Sequence, residues 1–394
     1  MVAQLEKFLI QELDSLRQKN LYRRLRVLEG RQLPQAVFDR RSVVNLSSNN
    51  YLGLNTHPKL VHAAIDATEK YGVGSGAVRT IAGTMDVHLQ LEERIARFKQ
   101  VEACVVFQSG FTANAGTVAA ILGKGDIIIS DELNQASIID GCRLSRADIK
   151  IFPHRDLSVL EKILQETQSL SGMKLVITDG VFSMEGDIAP LPQIIELAEK
   201  YGAIMMIDDA HASGVLGRNG RGTVDHYKMQ GRVDIQVGTL SKAIGSLGGY
   251  VCGSKALIEF LYHRARPFLF STSHPPAVAA TCLAAFEVLE EEPVLIERLW
   301  ENTRFFKAGL SRLGFNTGRS ETPITPIIVG KGELAMRFSD DLFQEGVFAQ
   351  GIGYPTVPEI KSRIRTIVTA THSREQLQFA LDVLEKVARK LSII

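Results

Sequence analysis

The feature that most constrains this chain is a rhythm. From about residue 86 to residue 252, short runs rich in Val and Ile alternate with longer stretches of helical periodicity. Helices are predicted at 87–99, 112–122, 136–145, 157–169 and 192–201. Strands are predicted at 103–107, 126–130, 150–152, 174–178, 203–207, 234–237 and 249–252. Apolar runs this short and this uniform suit strands covered on both faces, and each intervening helix is long enough to cross from one parallel strand to the next. The pattern predicts an α/β fold with a mainly parallel sheet. Ligands of such sheets sit beyond the carboxyl ends of the strands, so the residues after each strand are the ones to read for function.

The flanks read differently. Residues 1–30 place Leu5, Phe8, Leu9, Leu13 and Leu16 at helical spacing ahead of a basic turn, Tyr22 to Arg26, which predicts a helical arm that packs on another surface. A strand at 43–46, the segment SSNNYLGL and a helix at 58–71 lead to GVGSGAVRTIAGT. Its glycines do not make a dinucleotide fingerprint, because the run follows a helix and Arg79 stands at the third glycine position. From about residue 290 a helix is followed by alternating strands and helices. The expected division is an arm over 1–45, a large domain over 46–288 and a smaller α+β domain over 289–394.

Charge narrows the class of partner. Forty-five basic and forty-four acidic residues leave a formal net charge of +1, so no global field favours nucleic acid or an anionic membrane. The longest apolar runs are of strand length, and no membrane span is expected. Cys104, Cys142, Cys252 and Cys282 show no metal-ligand spacing; each reads as a small core residue of a protein from the reducing cytoplasm.

Four strand ends carry chemistry. Gln108-Ser109-Gly110-Phe111-Thr112 follows the strand at 103–107 and opens a helix, which reads equally as a phosphate site or as a plain N-cap. Asp179-Gly180-Val181-Phe182-Ser183 sets a hydroxyl at the same edge, and Asp208-Asp209-Ala210-His211 sets a carboxylate and an imidazole three residues apart. His211 by itself reads as a structural hydrogen bonder, whereas a buried Asp208 needs a cationic partner such as a protonated ring nitrogen. In QVGTLSKAIGSLGGY, Lys242 stands in an apolar setting where a cation is costly, which fits an amine nucleophile, though glycine- and serine-rich loops also hold ordinary lysines. A helix start for phosphate, an acid for a pyridinium, an imidazole for a phenolic oxygen and an amine for an aldehyde are together what pyridoxal phosphate requires.

The chain resembles the α-oxoamine synthases, a fold-type I pyridoxal-phosphate family that joins a small amino acid to an acyl-CoA thioester. The resemblance is carried by SNNYLGL, GSGAVRTIAGT, SDELNQASIIDG, TDGVFSMEGDIAPL, DDAH, GTLSKAIGSLGGY, RPFLFSTSHPPA and PTVPEIKSRIRTIVTATH, in that order. It implies that Lys242 binds the aldehyde of pyridoxal 5'-phosphate, that Asp208 pairs with the ring nitrogen and that His211 holds the ring oxygen. It places Gly110, Phe111, Ser183 and Thr239 against the cofactor. Ser271 and Thr272 match positions that reach the phosphate of a partner subunit, which implies a homodimer with shared sites. Asn49 and Arg365 fall at the substrate, with Arg23 beside them; an arginine fork suits a carboxylate. Relatives carry histidine, stacked on the ring, where this chain has Gln135, a side chain that does not titrate near neutral pH.

Within the family, MQGRVDI, the Tyr354-Pro355 pair and SRIRT resemble glycine C-acetyltransferases, which make 2-amino-3-ketobutyrate. STSHPPA and Thr356 resemble 8-amino-7-oxononanoate synthases of biotin synthesis, which join alanine to a pimeloyl thioester with decarboxylation. The expectation is condensation of glycine with acetyl-CoA, across a broad acyl-CoA range, with the pimeloyl reaction as the alternative. Two rivals lie outside these branches. An aminotransferase would share Lys242 and Asp208 but release no CoA thiol, and a catalytically silent binding protein would have no need of Lys242.

Overall fold

A computed structural model describes residues 2–18, 22 and 24–394, with side chains from residue 4 onward. Its strands, in chain order, are β1 (Gln35–Phe38), β2 (Arg41–Asn45), β3 (Ala103–Phe107), β4 (Ile127–Asp131), β5 (Asp148–Phe152), β6 (Lys174–Asp179), β7 (Ile204–Asp208), β8 (Ile235–Thr239), β9 (Gly249–Gly253), β10 (Ile324–Gly330), β11 (Val347–Phe348), β12 (Gln350–Ile352) and β13 (Ser362–Ile367). Two compact units share them. One comprises Asn49–Glu301 with Glu321–Pro323; the other comprises the residues up to Ser48, Asn302–Ser320 and Ile324–Ile394.

The larger unit is built on a seven-stranded sheet of order β3-β9-β8-β7-β6-β4-β5. The pairs from β5 across to β8 are parallel, while β9 runs antiparallel to both β3 and β8. The fold is the mainly parallel α/β arrangement that the sequence rhythm predicts, and the strand positions agree with that rhythm to within about two residues.

The pleat explains why those strands read as unbroken apolar runs. Ile127, Ile129, Val176, Met205 and Ile207 enter one core with Leu160, Leu164, Leu191 and Ile194 from the helices on that face. Their strand neighbours Ile128, Leu175, Ile177 and Met206 enter the opposite core with Val118, Ile138 and Leu261. Each such side chain contributes about 1.5–3 kcal/mol on burial. Helices start promptly after strands because caps are supplied: Ser109 accepts from the Thr112 N–H, and Asp156 accepts from Ser158 and Val159.

The smaller unit holds two three-stranded sheets, β1-β2-β11 and β10-β13-β12. Residues before Ser48 belong with the C-terminal segment, where the sequence pattern draws lines at 45 and 288, because β2 pairs with β11 and the Ile367 N–H donates to the Leu46 carbonyl at 2.8 Å. Its core gathers Val44, Leu46, Phe306, Leu310, Ile327, Phe338, Ile364, Leu381 and Leu384. The N-terminal helix Val2–Gln18 leaves Leu5, Phe8 and Leu9 exposed. Among the described residues no helix is long and apolar enough to cross a membrane.

Candidate active site

The carboxyl edge of the large sheet concentrates acids: Asp131, Asp179 and Asp208 end β4, β6 and β7. Register pairs Asp179 with Asp208, so two buried carboxylates stand side by side on neighbouring strands. One Asp208 oxygen accepts from the Asn114 amide at 2.6 Å and the other from the Ala210 N–H at 2.8 Å. Burial pushes the Asp208 and Asp179 carboxyls above the usual range, and the nearby charge of Lys242 pulls both back. The adjacent Asp209 has its own cation. Lys99 Nζ donates to it at 2.8 Å and to the Arg221 carbonyl at 2.6 Å, with both side chains almost wholly out of water. Lys242 is the lysine whose charge bears on both Asp208 and Asp179.

Lys242 is half-buried in the turn between β8 and β9. The Gly245 N–H closes that turn onto the Lys242 carbonyl at 2.9 Å. Gly245 has φ of +76°, and a Cβ there would lie 2.5 Å from the Asn55 nitrogen, so a larger residue would displace the turn. Thr239 Oγ1, at the end of β8, donates to the Gly248 carbonyl at 2.9 Å and lies 2.8 Å from Ser241 Oγ. The helix Gly110–Ile121 begins against it: a Cβ on Gly110 would be 3.4 Å from Thr239 Cβ. A first-turn N–H such as that of Gly110 or Phe111 has no intrahelical acceptor, which leaves it to a ligand anion.

His211 is buried, and its Nδ1 lies 2.8 Å from the Tyr51 hydroxyl, itself buried. Gln135 donates its backbone N–H to Asp179 at 2.9 Å. Its side-chain oxygen accepts from Ser137 Oγ at 3.3 Å, which accepts from the Asn114 amide at 3.0 Å. Asn114 thus links Gln135 to Asp208, and Asn114 Oδ1 is a buried oxygen with no partner.

Ser183 is half-buried in the turn after β6, Phe111 is half-exposed, and Asn49 is half-buried. Ser271 is half-buried and Thr272 exposed; the Thr272 carbonyl accepts from Gln108 Nε2 at 2.7 Å, next to the end of β3. Arg365 is half-buried on β13 of the smaller unit, opposite Pro326 and Gln350. Arg23 lies outside the described residues. Asn114, Tyr51 and Lys99 are the side chains that sequence reading did not single out. The signals available for them are a polar residue inside an apolar helix, an aromatic inside SNNYLGL and a lysine at a helix end.

This donor set fits pyridoxal phosphate: a buried acid that needs a cation, an unsatisfied amide oxygen behind it, a helix start beside a hydroxyl, and a lysine. Among the described residues no group of three His, Cys, Asp or Glu is placed to hold a metal ion.

The chain matches the family described as aminotransferase class I and II over residues 41–384. It is 61% identical over 390 residues to 8-amino-7-oxononanoate synthase of Symbiobacterium thermophilum, covering 99% of this chain and 100% of that one. It is 56% identical over 388 residues to 8-amino-7-oxononanoate synthase 1 of Bacillus subtilis, covering 98% and 99%. Among solved structures it superposes on a high-resolution serine palmitoyltransferase with PLP at a TM-score of 0.93, with 32% identity and 99% of both chains covered. It also superposes on 8-amino-7-oxononanoate synthase of Francisella tularensis at 0.76, with 29% identity and 88% and 98% covered.

These relatives overturn the expectation of glycine and acetyl-CoA, since the full-length matches carry the name of the alternative branch. The structure gives the reason that one cue misled. MQGRVDI is a turn at the amino edge of the sheet, where Arg232 pairs with Glu199 at 2.6 Å and Gln230 donates to Asp225 at 2.9 Å. Such contacts serve local packing and carry no information about an acyl chain.

Proposed function

Because the chain belongs to the α-oxoamine synthases of the aminotransferase class I and II family, we propose that it condenses alanine with a pimeloyl thioester to give 8-amino-7-oxononanoate, carbon dioxide and free thiol. Its cofactor is pyridoxal 5'-phosphate, which when bound supplies a positively charged ring that draws electrons from the amino acid's α-carbon. The observation that carries the chemistry is the buried Asp208, fixed by Asn114 and Ala210 and eased by the charge of Lys242. The shared name of the full-length relatives supports the choice of substrates.

Each residue then has a proposed task. Lys242 would hold the cofactor's aldehyde, and its Nζ would be the base for the α-carbon proton. Asp208 holds the proton on the ring nitrogen, and His211, oriented by Tyr51, holds the ring oxygen. Gly110, Phe111, Thr239 and Ser183 border the cofactor. Ser271 and Thr272 serve the phosphate of a partner subunit in a homodimer, and the exposure of Phe270 beside them supports a covered face. Asn49, Gln135 and Arg365 serve the amino acid and its carboxylate. A reducing cytoplasm is the proposed compartment, in keeping with four buried free thiols.

The test is direct. Protein loaded with pyridoxal phosphate receives alanine or glycine with pimeloyl-CoA or acetyl-CoA, and thiol and carbon dioxide are measured. Release of both from alanine and pimeloyl-CoA is expected; thiol release confined to glycine with acetyl-CoA would overturn the proposal.

A further inference from the structure

We propose that His154 is a positioning residue for the cofactor slot: as an imidazolium it ties Asp131 to Asp187, and so fixes the turn bearing Gln135 against the loop bearing Ser183. His154 follows β5. Its Nδ1 lies 3.1 and 3.2 Å from the two oxygens of Asp131, and its Nε2 lies 2.9 Å from Asp187 Oδ2. An ionised carboxylate only accepts, so a ring with a carboxylate at each nitrogen must donate from both, and that is the doubly protonated cation.

The surroundings bring further donors to both acids. The Leu133 and Arg155 N–H groups donate to Asp131, at 2.9 and 3.1 Å, and the Arg155 guanidinium reaches Asp187 Oδ2 at 3.2 Å. The other charged groups here are Glu132, which accepts the His154 backbone N–H at 2.9 Å, Glu321, which pairs with Arg155 at 3.2 Å, and Asp179, whose carboxyl the charge of Asp131 helps push up. The Phe182 ring meets the imidazole edge to face at 4.3 Å between centroids. Burial drags the imidazole pKa down, but Asp131 and Asp187 outweigh it and lift it to about 9.

Both acids are geared to the slot. Asp131 holds the Leu133 N–H two residues before Gln135, whose own N–H is fixed by Asp179. The Asp187 carbonyl accepts the Phe182 N–H at 3.1 Å, and the Gly186 N–H returns to the Phe182 carbonyl at 2.8 Å, which closes the loop around Ser183. Without the imidazolium, Asp131 and Asp187 would lose the ring that joins them, and Arg155, whose N–H holds Asp131 and whose guanidinium reaches Asp187, would be left to link the two segments. This role rests on the proposed placement of Gln135 and Ser183 at the cofactor.

The test titrates pyridoxal phosphate into wild type and His154→Gln from about pH 7 to about pH 10, following the visible band, with borohydride trapping and peptide mapping of the same samples. Wild-type affinity is expected to fall as the pH passes about 9. The variant should bind about tenfold more weakly near neutrality and lack that alkaline fall. Trapping on Lys242 with equal affinity and equal pH profiles in the two proteins would overturn the role of His154 and leave the cofactor site standing. Trapping elsewhere would overturn both. Should the variant not fold, long-range ¹H–¹⁵N correlation on the wild type decides: both His154 nitrogens protonated at neutral pH supports the tie, and one bare nitrogen overturns it.

Discussion

At the scale of single residues, the proposed chemistry turns on the buried Asp208 carboxylate and on Lys242, whose charge eases the cost of ionising it. Lys242→Ala should abolish borohydride trapping and cut turnover by about 10²- to 10⁴-fold or more. Asp208→Asn keeps the shape and removes the charge; trapping at Lys242 should persist while turnover falls at least about 10²-fold. Gln135→His introduces a titratable ring beside the Asp179–Asp208 edge and is expected to raise turnover under saturating substrates; an unchanged rate would mean that the amide suffices. The strand-end groups were legible because each lies in one contiguous stretch. Asn114 and Tyr51 were not, since their partners Asp208 and His211 stand 94 and 160 residues away and only folding brings them together.

At the scale of elements, the helix start after β3 does two jobs, ending a strand and offering backbone donors. Ser109→Ala removes its cap and should lower unfolding stability by about 1 kcal/mol, read from the denaturant midpoint. It should also weaken phosphate retention, which a plain stability loss elsewhere would leave alone. The rhythm of short runs revealed all seven large-sheet strands; six are buried along nearly their whole length and have no polar side to confuse the period, while the edge strand β5 leaves Asp148 and Ile151 exposed. It did not reveal that β9 runs against its neighbours, since direction is set by the connection and not by composition. Nor did it show that the glycine-rich run ends in a π-helical turn at Arg79–Gly83, held by a bidentate Arg79–Glu92 pair at 2.8 and 2.9 Å.

At the scale of the whole molecule, the charged imidazole makes folding depend on pH. Its folded pKa of about 9 lies above the ordinary 6.5, so its contribution is complete below about 6.5 and is lost as the pH climbs through 9. Midpoints measured across that window should fall in wild type and stay flatter in His154→Gln. Lys99 and Asp209 carry a different lesson, for anyone who swaps segments between relatives. Inserting a foreign helix without its matching strand end would strand a bare ion in the interior, a penalty of about 3–5 kcal/mol, so the two positions must be inherited together or replaced together.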